Sequence, residues 1–511
     1  MIPSNHITKT FNSVTQWWIN LKDNTKAYIV IAILCAAFIG GGLYFMEYEY
    51  YAYAFIPVAV LGLVFLKYEF NKGLFLIALL TPFSINIVLN EDGFTLSLPS
   101  EPILILMMIA FLWTLLFEGK YNLKYFKHPV SISIFIYFLW AIISSCFSTD
   151  VLVSFKFIVS RLWFVIPMFF IAMPFFKNVK NIRIFTACYC ISLLVVIIYS
   201  TINFGGMGFD YNASHFVMQP FYNDHTAYGA IVALFLPVSF YYAFASKEII
   251  GGKGFRIFFI IMSIALLTAL ILSYARAAWL SVVVAGVVFV IVKLRIKLKQ
   301  LLITALIGGV LLAVGWDVIL QQMSQNSQDS SGKIMEHITS MSNISTDASN
   351  VERINRWSCA LRMFKEEPVF GFGAGTYQFK YAAYQKSWQT SWISTDFGDL
   401  GNAHSEYLGP LAEMGIMGTI SVVLIFGTTV YIGIRTYRRA ADKHIANLAL
   451  CLTISMITYY THGFMNNFLD TDKLAVPFWA FTAAIAALDI MTRNKAIAEN
   501  NNTNTENNNT Y

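Results

Sequence analysis

The residues best suited to chemistry in this chain are one histidine and a few arginines. His404 opens the string His404-Ser405-Glu406-Tyr407-Leu408-Gly409-Pro410, at the point where a long polar stretch meets an apolar run. An imidazole titrates near neutrality, so it can take a proton from a hydroxyl as general base. Arg276 sits in a tight turn, Ser273-Tyr274-Ala275-Arg276-Ala277-Ala278-Trp279, and Arg161 lies inside an apolar run. Charges at membrane depth are costly and face a cavity or a partner. The planar guanidinium fork matches phosphate oxygens. One base and two arginines near one membrane face suit a lipid-linked diphosphate. The bland alternatives stand beside this: a histidine at a water interface, a snorkelling or salt-bridged arginine. At about 100° per residue, positions 404, 408, 411, 415 and 418 share one helical stripe, which would put His404 over Gly415 and Gly418.

The polar stretch spans roughly 90 residues, 316–406, and a loop of that length in a compact membrane protein is more often a working part than a connector. Its first third, 321–350, is rich in Ser, Gln, Asn and Asp and reads as mobile. Ile354, Trp357, Leu361 and Phe364 then recur at helical spacing, with Arg353 and Arg356 on neighbouring faces as possible substrate contacts. Pro368 and the run Gly371-Phe372-Gly373-Ala374-Gly375 stop that helix. Asn223, Asp224 and His225 precede another apolar run; they fit a cavity lining or a helix cap equally well. Asp470-Thr471-Asp472 and Glu47-Tyr48-Glu49 have the spacing of cation-binding pairs and also of hydrated short loops; no metal and no cofactor is expected. Glu413, near the opposite helical face from His404, is expected to pair with another helix.

The elements that must position these residues are membrane helices. Of the 511 residues 57% are hydrophobic and only 13% charged, a composition for lipid rather than for a water-facing core. Apolar runs recur at 27–46, 50–66, 73–89, 102–117, 129–148, 157–176, 183–202, 227–246, 257–273, 278–292, 301–315, 407–433, 446–460 and 474–491, each able or nearly able to cross hydrocarbon as helix. The expected fold is therefore an all-α polytopic membrane protein with about fourteen transmembrane helices and one large extracytoplasmic loop. The expected division is 1–315 for the first eleven helices, 316–406 for the loop, 407–491 for the last three helices and 492–511 for a disordered tail. With both termini cytoplasmic, most Lys and Arg fall on the cytoplasmic side. The net charge of +6 then reflects orientation and implies no nucleic-acid partner. Residues 1–26 lack a cleavage site behind the first apolar run, so that run should remain as an anchor. Of six cysteines only Cys359 falls in the loop, so no extracytoplasmic disulfide framework is expected.

The spacing His404-Ser405, nine residues, Gly415, two residues, Gly418 resembles the histidine signature of bacterial O-antigen ligases. Ser273-Tyr274-Ala275-Arg276-Ala277-Ala278-Trp279 resembles their arginine turn, with Ala277 where that turn has glycine. Arg356-Trp357 through Pro368, Gly371 and Gly373 resembles the start of their periplasmic loop. The resemblance covers roughly 225–470. It implies a GT-C-like, metal-independent glycosyltransferase of the bacterial inner membrane. Such an enzyme takes a glycan from undecaprenyl diphosphate and joins it, with inversion, to a hydroxyl of lipid A–core or a similar acceptor. His404 would then be the base, Arg276 and Arg161 the diphosphate ligands, and Arg353, Arg356 or His225 further substrate contacts. Two alternatives remain. A related O-antigen or exopolysaccharide polymerase would use the same donor; the span count and an Arg362-ten-residue-Gly373 spacing fit it. A flippase or transporter would instead carry its ionisable groups at the midplane of broken helices.

Overall fold

A computed structural model describes Thr25 and residues 56–88, 95–119, 121–296, 348–389, 394 and 401–508. The chain divides into two compact units, 1–65 and 66–511. The site lies wholly within the second, and the expected spans 27–46 and 301–315 fall outside the described residues. Helix α1 (Ile56–Tyr68) crosses the division. Helix α2 (Phe70–Leu80) covers only the first part of the expected run 73–89. Pro82 and the alternating Ile85-Asn86-Ile87-Val88 explain the early stop. After a 3-10 turn, strand β1 (Ile85–Val88) pairs antiparallel with β2 (Thr95–Leu98), Ile85 opposite Leu98. A β-branched, period-two string prefers the pleated surface to the helix.

Helices follow from the need to satisfy every backbone polar group inside the segment when no water is at hand. They are α3 (Ser100–Trp113), α4 (Pro129–Cys146), α5 (Val151–Val165), α6 (Val179–Gly206), α7 (His225–Phe244), α8 (Lys253–Leu272) and α9 (Arg276–Lys293). After α10 (Ala348–Glu366) come α11 (Leu408–Arg439), α12 (Lys443–His462) and α13 (Asp472–Asn508). Among the described residues nine helices are long and apolar enough to span a membrane. Helix α12, with more Thr, Ser and Tyr, is a further 20-residue helix packed among them.

Several starts are capped by a side chain that accepts from orphan amides. The carboxylate of Asp150 accepts from Val153 N at 3.1 Å, and that of Asp442 from His444 N at 2.8 Å. Helices α7 and α13 are the most deeply buried, α8 and α9 among the least, so the bundle is built around the former pair. Helix α12 contacts α7, α9, α11 and α13.

Candidate functional site

Helix α11 is broken. Gly415 has φ 65° and ψ −166° inside an otherwise helical stretch, a left-handed backbone that glycine adopts at little cost. The gap it opens is filled by the segment after α10. Ile416 N donates to Pro368 O at 3.1 Å, Phe372 N to Ala412 O at 3.1 Å and Gly373 N to Glu413 O at 2.8 Å. A Cβ on Gly415 would lie 2.2 Å from the Val369 carbonyl oxygen. The Trp140 indole on α4 donates to Met414 O at 2.8 Å, and Ser144 Oγ to Phe370 O at 2.7 Å. Non-helical backbone in a membrane protein is tolerated where protein buries it and answers its polar groups, and this one is answered from two sides.

The break changes the expected place of the histidine. His404 does not lie on the helical stripe with Gly415 and Gly418: α11 begins at Leu408, and His404 precedes it with φ 47°. The reason is local hydrogen bonding. The Ser405 hydroxyl accepts from Tyr407 N and Leu408 N at 3.3 Å each, and the Asn402 amide oxygen accepts from His404 N at 3.0 Å. A side chain that answers backbone amides sets a turn rather than a continuing helix. Trp357 on α10 donates its indole N–H to the His404 carbonyl at 3.3 Å.

His404 is half-buried, and its pKa is lowered to about 4 by burial first, then by repulsion from Arg353 and Arg356, against a smaller pull from Glu352 and Asp224. The ring is neutral at pH 7. Arg353 is the arginine of α10 that acts most strongly on this histidine. Arg356 is buried and held inside the segment: its Nε donates to Glu352 Oε1 at 2.5 Å, and its guanidinium lies 3.9 Å from the centre of the Tyr381 ring. Tyr377 OH donates to Arg356 O at 2.8 Å. Around them Cys359, Met363, Phe372, Tyr377, Tyr381 and Ala412 form a small core of their own.

Arg276 begins α9, one residue after a turn whose Tyr274 has φ 49°. Ser273 Oγ accepts from Ala275 N at 3.3 Å, and the Trp279 indole donates to Leu270 O at 2.6 Å. The turn presses on Gly229 of α7, where a Cβ would come within 2.6 Å of Ala275 Cβ. His225 starts α7 and stands edge-to-face with His215, ring centres 4.3 Å apart. Arg276 and Arg353 are both among the charges acting on His225. The structure therefore places Arg353 near both His404 and His225, and Arg276 near His225.

Asp224 caps α7, its Oδ1 accepting from Thr226 N at 2.7 Å and Ala227 N at 2.9 Å; the capping alternative describes it. His462, at the end of α12, also lies near Arg353 and His225, with its Nε2 3.1 Å from Asn466 Nδ2. Sequence reasoning missed His462 and His215, which carry no local motif.

Arg161 faces another set of partners. Its guanidinium lies 4.8 Å from the centre of the Phe157 ring, and the carboxyl groups that act on it are those of Asp470 and Glu406. Glu406 is buried and ties three segments together, Oε1 accepting from Tyr459 OH at 2.6 Å, Phe468 N at 2.9 Å and Leu469 N at 3.0 Å. Burial pushes its carboxyl up, and Arg161 holds it down. Glu406 was also missed, although it stands two residues beyond His404 in the same string. Glu413 takes the Tyr377 amide at 3.1 Å, so its partner is the segment after α10 and not another membrane helix. Asp470 and Asp472 diverge: the first is a charge neighbour of Arg161, while the second accepts from the Ser84 and Ser100 hydroxyls.

A bundle of apolar spans with a broken helix, a neutral histidine at its head and arginines around it defines a multi-pass membrane protein with a polar site at one end of the bundle. Residues 257–423, which include both Arg276 and His404, match the family described as O-antigen ligase. Over those residues, about a third of its length, the chain is similar to that family. A curated protein of Haemophilus influenzae, described as uncharacterized, is 27% identical over 207 residues, 40% of this chain and 50% of that protein. The chain thus spans about half the length of the curated relative it matches.

Proposed function

We propose that the protein is a glycosyltransferase that moves a glycan from undecaprenyl diphosphate to an acceptor hydroxyl, as an O-antigen ligase does. The observation that carries this reading is the neutral His404 flanked by Arg353, which together with Arg276 also acts on His225. An unprotonated imidazole can accept the acceptor's proton as its oxygen attacks the anomeric carbon. The bond from that carbon to the diphosphate breaks, and the electron pair leaves on the diphosphate oxygen. Attack from the face opposite the leaving group inverts the centre. Arg276 and Arg353 neutralise the charge that develops there. Arriving phosphate oxygens offset the repulsion that lowers the imidazole pKa, so the donor itself makes His404 a stronger base. Arg161 serves as a second anchor for the diphosphate in this reading, in exchange with Glu406 and Asp470. Arg356, tied to Glu352 and Tyr381, holds the segment, and His225 lines the cavity.

The test is the lipopolysaccharide profile of a deletion strain carrying wild-type or His404→Ala protein, read with the undecaprenyl-linked glycans. Long polymer left on the lipid carrier with bare lipid A–core supports the ligase. Single repeat units on carrier and core would make the protein a polymerase. An unchanged profile with stable protein would overturn the reading.

A further inference from the structure

At the far end of α9 and α11 from Arg276 and His404, a polar cavity opens between three helices. Its volume is about 380 Å³, within the range of small-ligand sites. Lys293 and Arg295 line it from the end of α9, Tyr437 and Arg438 from the end of α11, Lys443 and Asn447 from the start of α12. We propose that this cavity binds a phosphate-bearing anion, the headgroup of an anionic phospholipid or a free phosphate.

The charge balance carries the argument. Four cationic side chains line the cavity, with no carboxylate among its lining residues. Among the described residues none of the four is in an ion pair, whereas nearby Arg435 and Arg493 are held by Asp489 at 2.8 and 2.7 Å. Asp489 thus answers Arg435 and Arg493 and leaves the cations that line the cavity for another anion. Asp442 is the nearest acid in sequence, and its Oδ1 is occupied in capping α12 through His444 N and Ile445 N. The carbonyl ends of α9 and α11 also point to this region and oppose an anion, an effect worth less than a full charge for each helix. The positive end of α12 and four side-chain cations outweigh it.

The lining is shaped as well as charged. The Lys293 ammonium lies 5.8 Å from the centre of the Tyr437 ring, linking α9 to α11 across the cavity. Arg295 closes α9 with φ 54°, a position that glycine fills at lower cost. Val292, Ala440 and Ala446 supply an apolar wall, suited to the glycerol and first methylenes of a lipid beneath its phosphate. Basic pockets between membrane helices recognise lipid phosphates in this way.

The experiment uses the full chain, purified in detergent and offered phosphatidylglycerol, phosphatidylcholine or inorganic phosphate, with adducts counted by native mass spectrometry. Two double variants are compared with wild type, Arg438→Gln/Lys443→Gln and Lys293→Gln/Arg295→Gln, each checked for an unchanged melting temperature. The expected result is preference for phosphatidylglycerol over phosphatidylcholine, falling roughly 10- to 30-fold in each double variant. Displacement of the lipid by inorganic phosphate would assign the site to the free anion; resistance would assign it to the lipid. Equal retention by wild type and both folded variants would overturn the proposal.

Discussion

The indole of Trp357 donates to the carbonyl of His404 at 3.3 Å, and His404 has φ 47°. A helix of the preceding segment therefore holds the backbone of the candidate base in a conformation that a non-glycine residue adopts only under constraint. Trp357→Phe keeps an aromatic ring and removes the donor. Loss of one such hydrogen bond is worth about 1 kcal/mol, or about fivefold. Transfer by Trp357→Phe should fall by that order with protein abundance unchanged. An unaffected rate would show that the bond does not position His404.

Much of this arrangement is legible in the sequence. The apolar runs located α3 to α9 and α11 to α13, because hydrocarbon leaves the backbone few alternatives. Arg276 and His404 stood out because a guanidinium in a tight turn and an imidazole where a polar stretch meets an apolar run suit phosphate binding and proton transfer. The break in α11 was not legible. Gly415 was expected on a helical stripe, yet its left-handed φ exists only because the Pro368–Gly373 segment supplies hydrogen bonds from about forty residues away, a tertiary cause with no trace in local periodicity. The same holds for Glu406, whose partners Tyr459, Phe468 and Leu469 lie more than fifty residues away in sequence. The hairpin at 85–98 could have been found from the alternation Ile85-Asn86-Ile87-Val88, which a hydropathy window averages away.

The lowered pKa of His404 predicts the acid limb of activity. The dependence of kcat/KM on pH reports the free enzyme, so its acid limb should fall near pH 4 rather than at the usual 6.5. Arg353→Gln removes one source of the repulsion and should raise that limb. Between pH 4 and 6.5 the folded protein binds fewer protons at this site than the unfolded chain, so stability is full above 6.5 and declines as pH falls through that window. His404→Gln should flatten this part of the melting profile. A limb that stays near 6.5 in wild type would mean that another group sets it.

Gly415→Ala tests the break in the helix. Its left-handed φ alone costs a side chain roughly 1–2 kcal/mol, and a Cβ 2.2 Å from the Val369 carbonyl oxygen must also move the Pro368–Gly373 segment. The expected outcome is a lower melting temperature in detergent together with faster proteolysis after α10. Gly427→Ala, where a Cβ meets nothing within 4 Å, is the control and should leave both unchanged. Equal behaviour of the two variants would show that the docking of the segment does not depend on Gly415.

Arg161 is where a structural and a substrate-binding role can be separated. The carboxyl groups that act on it include that of Glu406, which is buried and accepts from Tyr459, Phe468 and Leu469. Removing the guanidinium leaves that buried carboxylate without its nearby counter-charge, which destabilises the fold. Arg161→Gln should therefore lower the melting temperature, and Arg161→Gln/Glu406→Gln should recover part of it, since a neutral amide oxygen still accepts from the same donors. If Arg161 also anchors the donor, the double variant will be stable and yet show a raised KM for the lipid-linked glycan. If its work is only to balance Glu406, recovery of stability and of KM will go together.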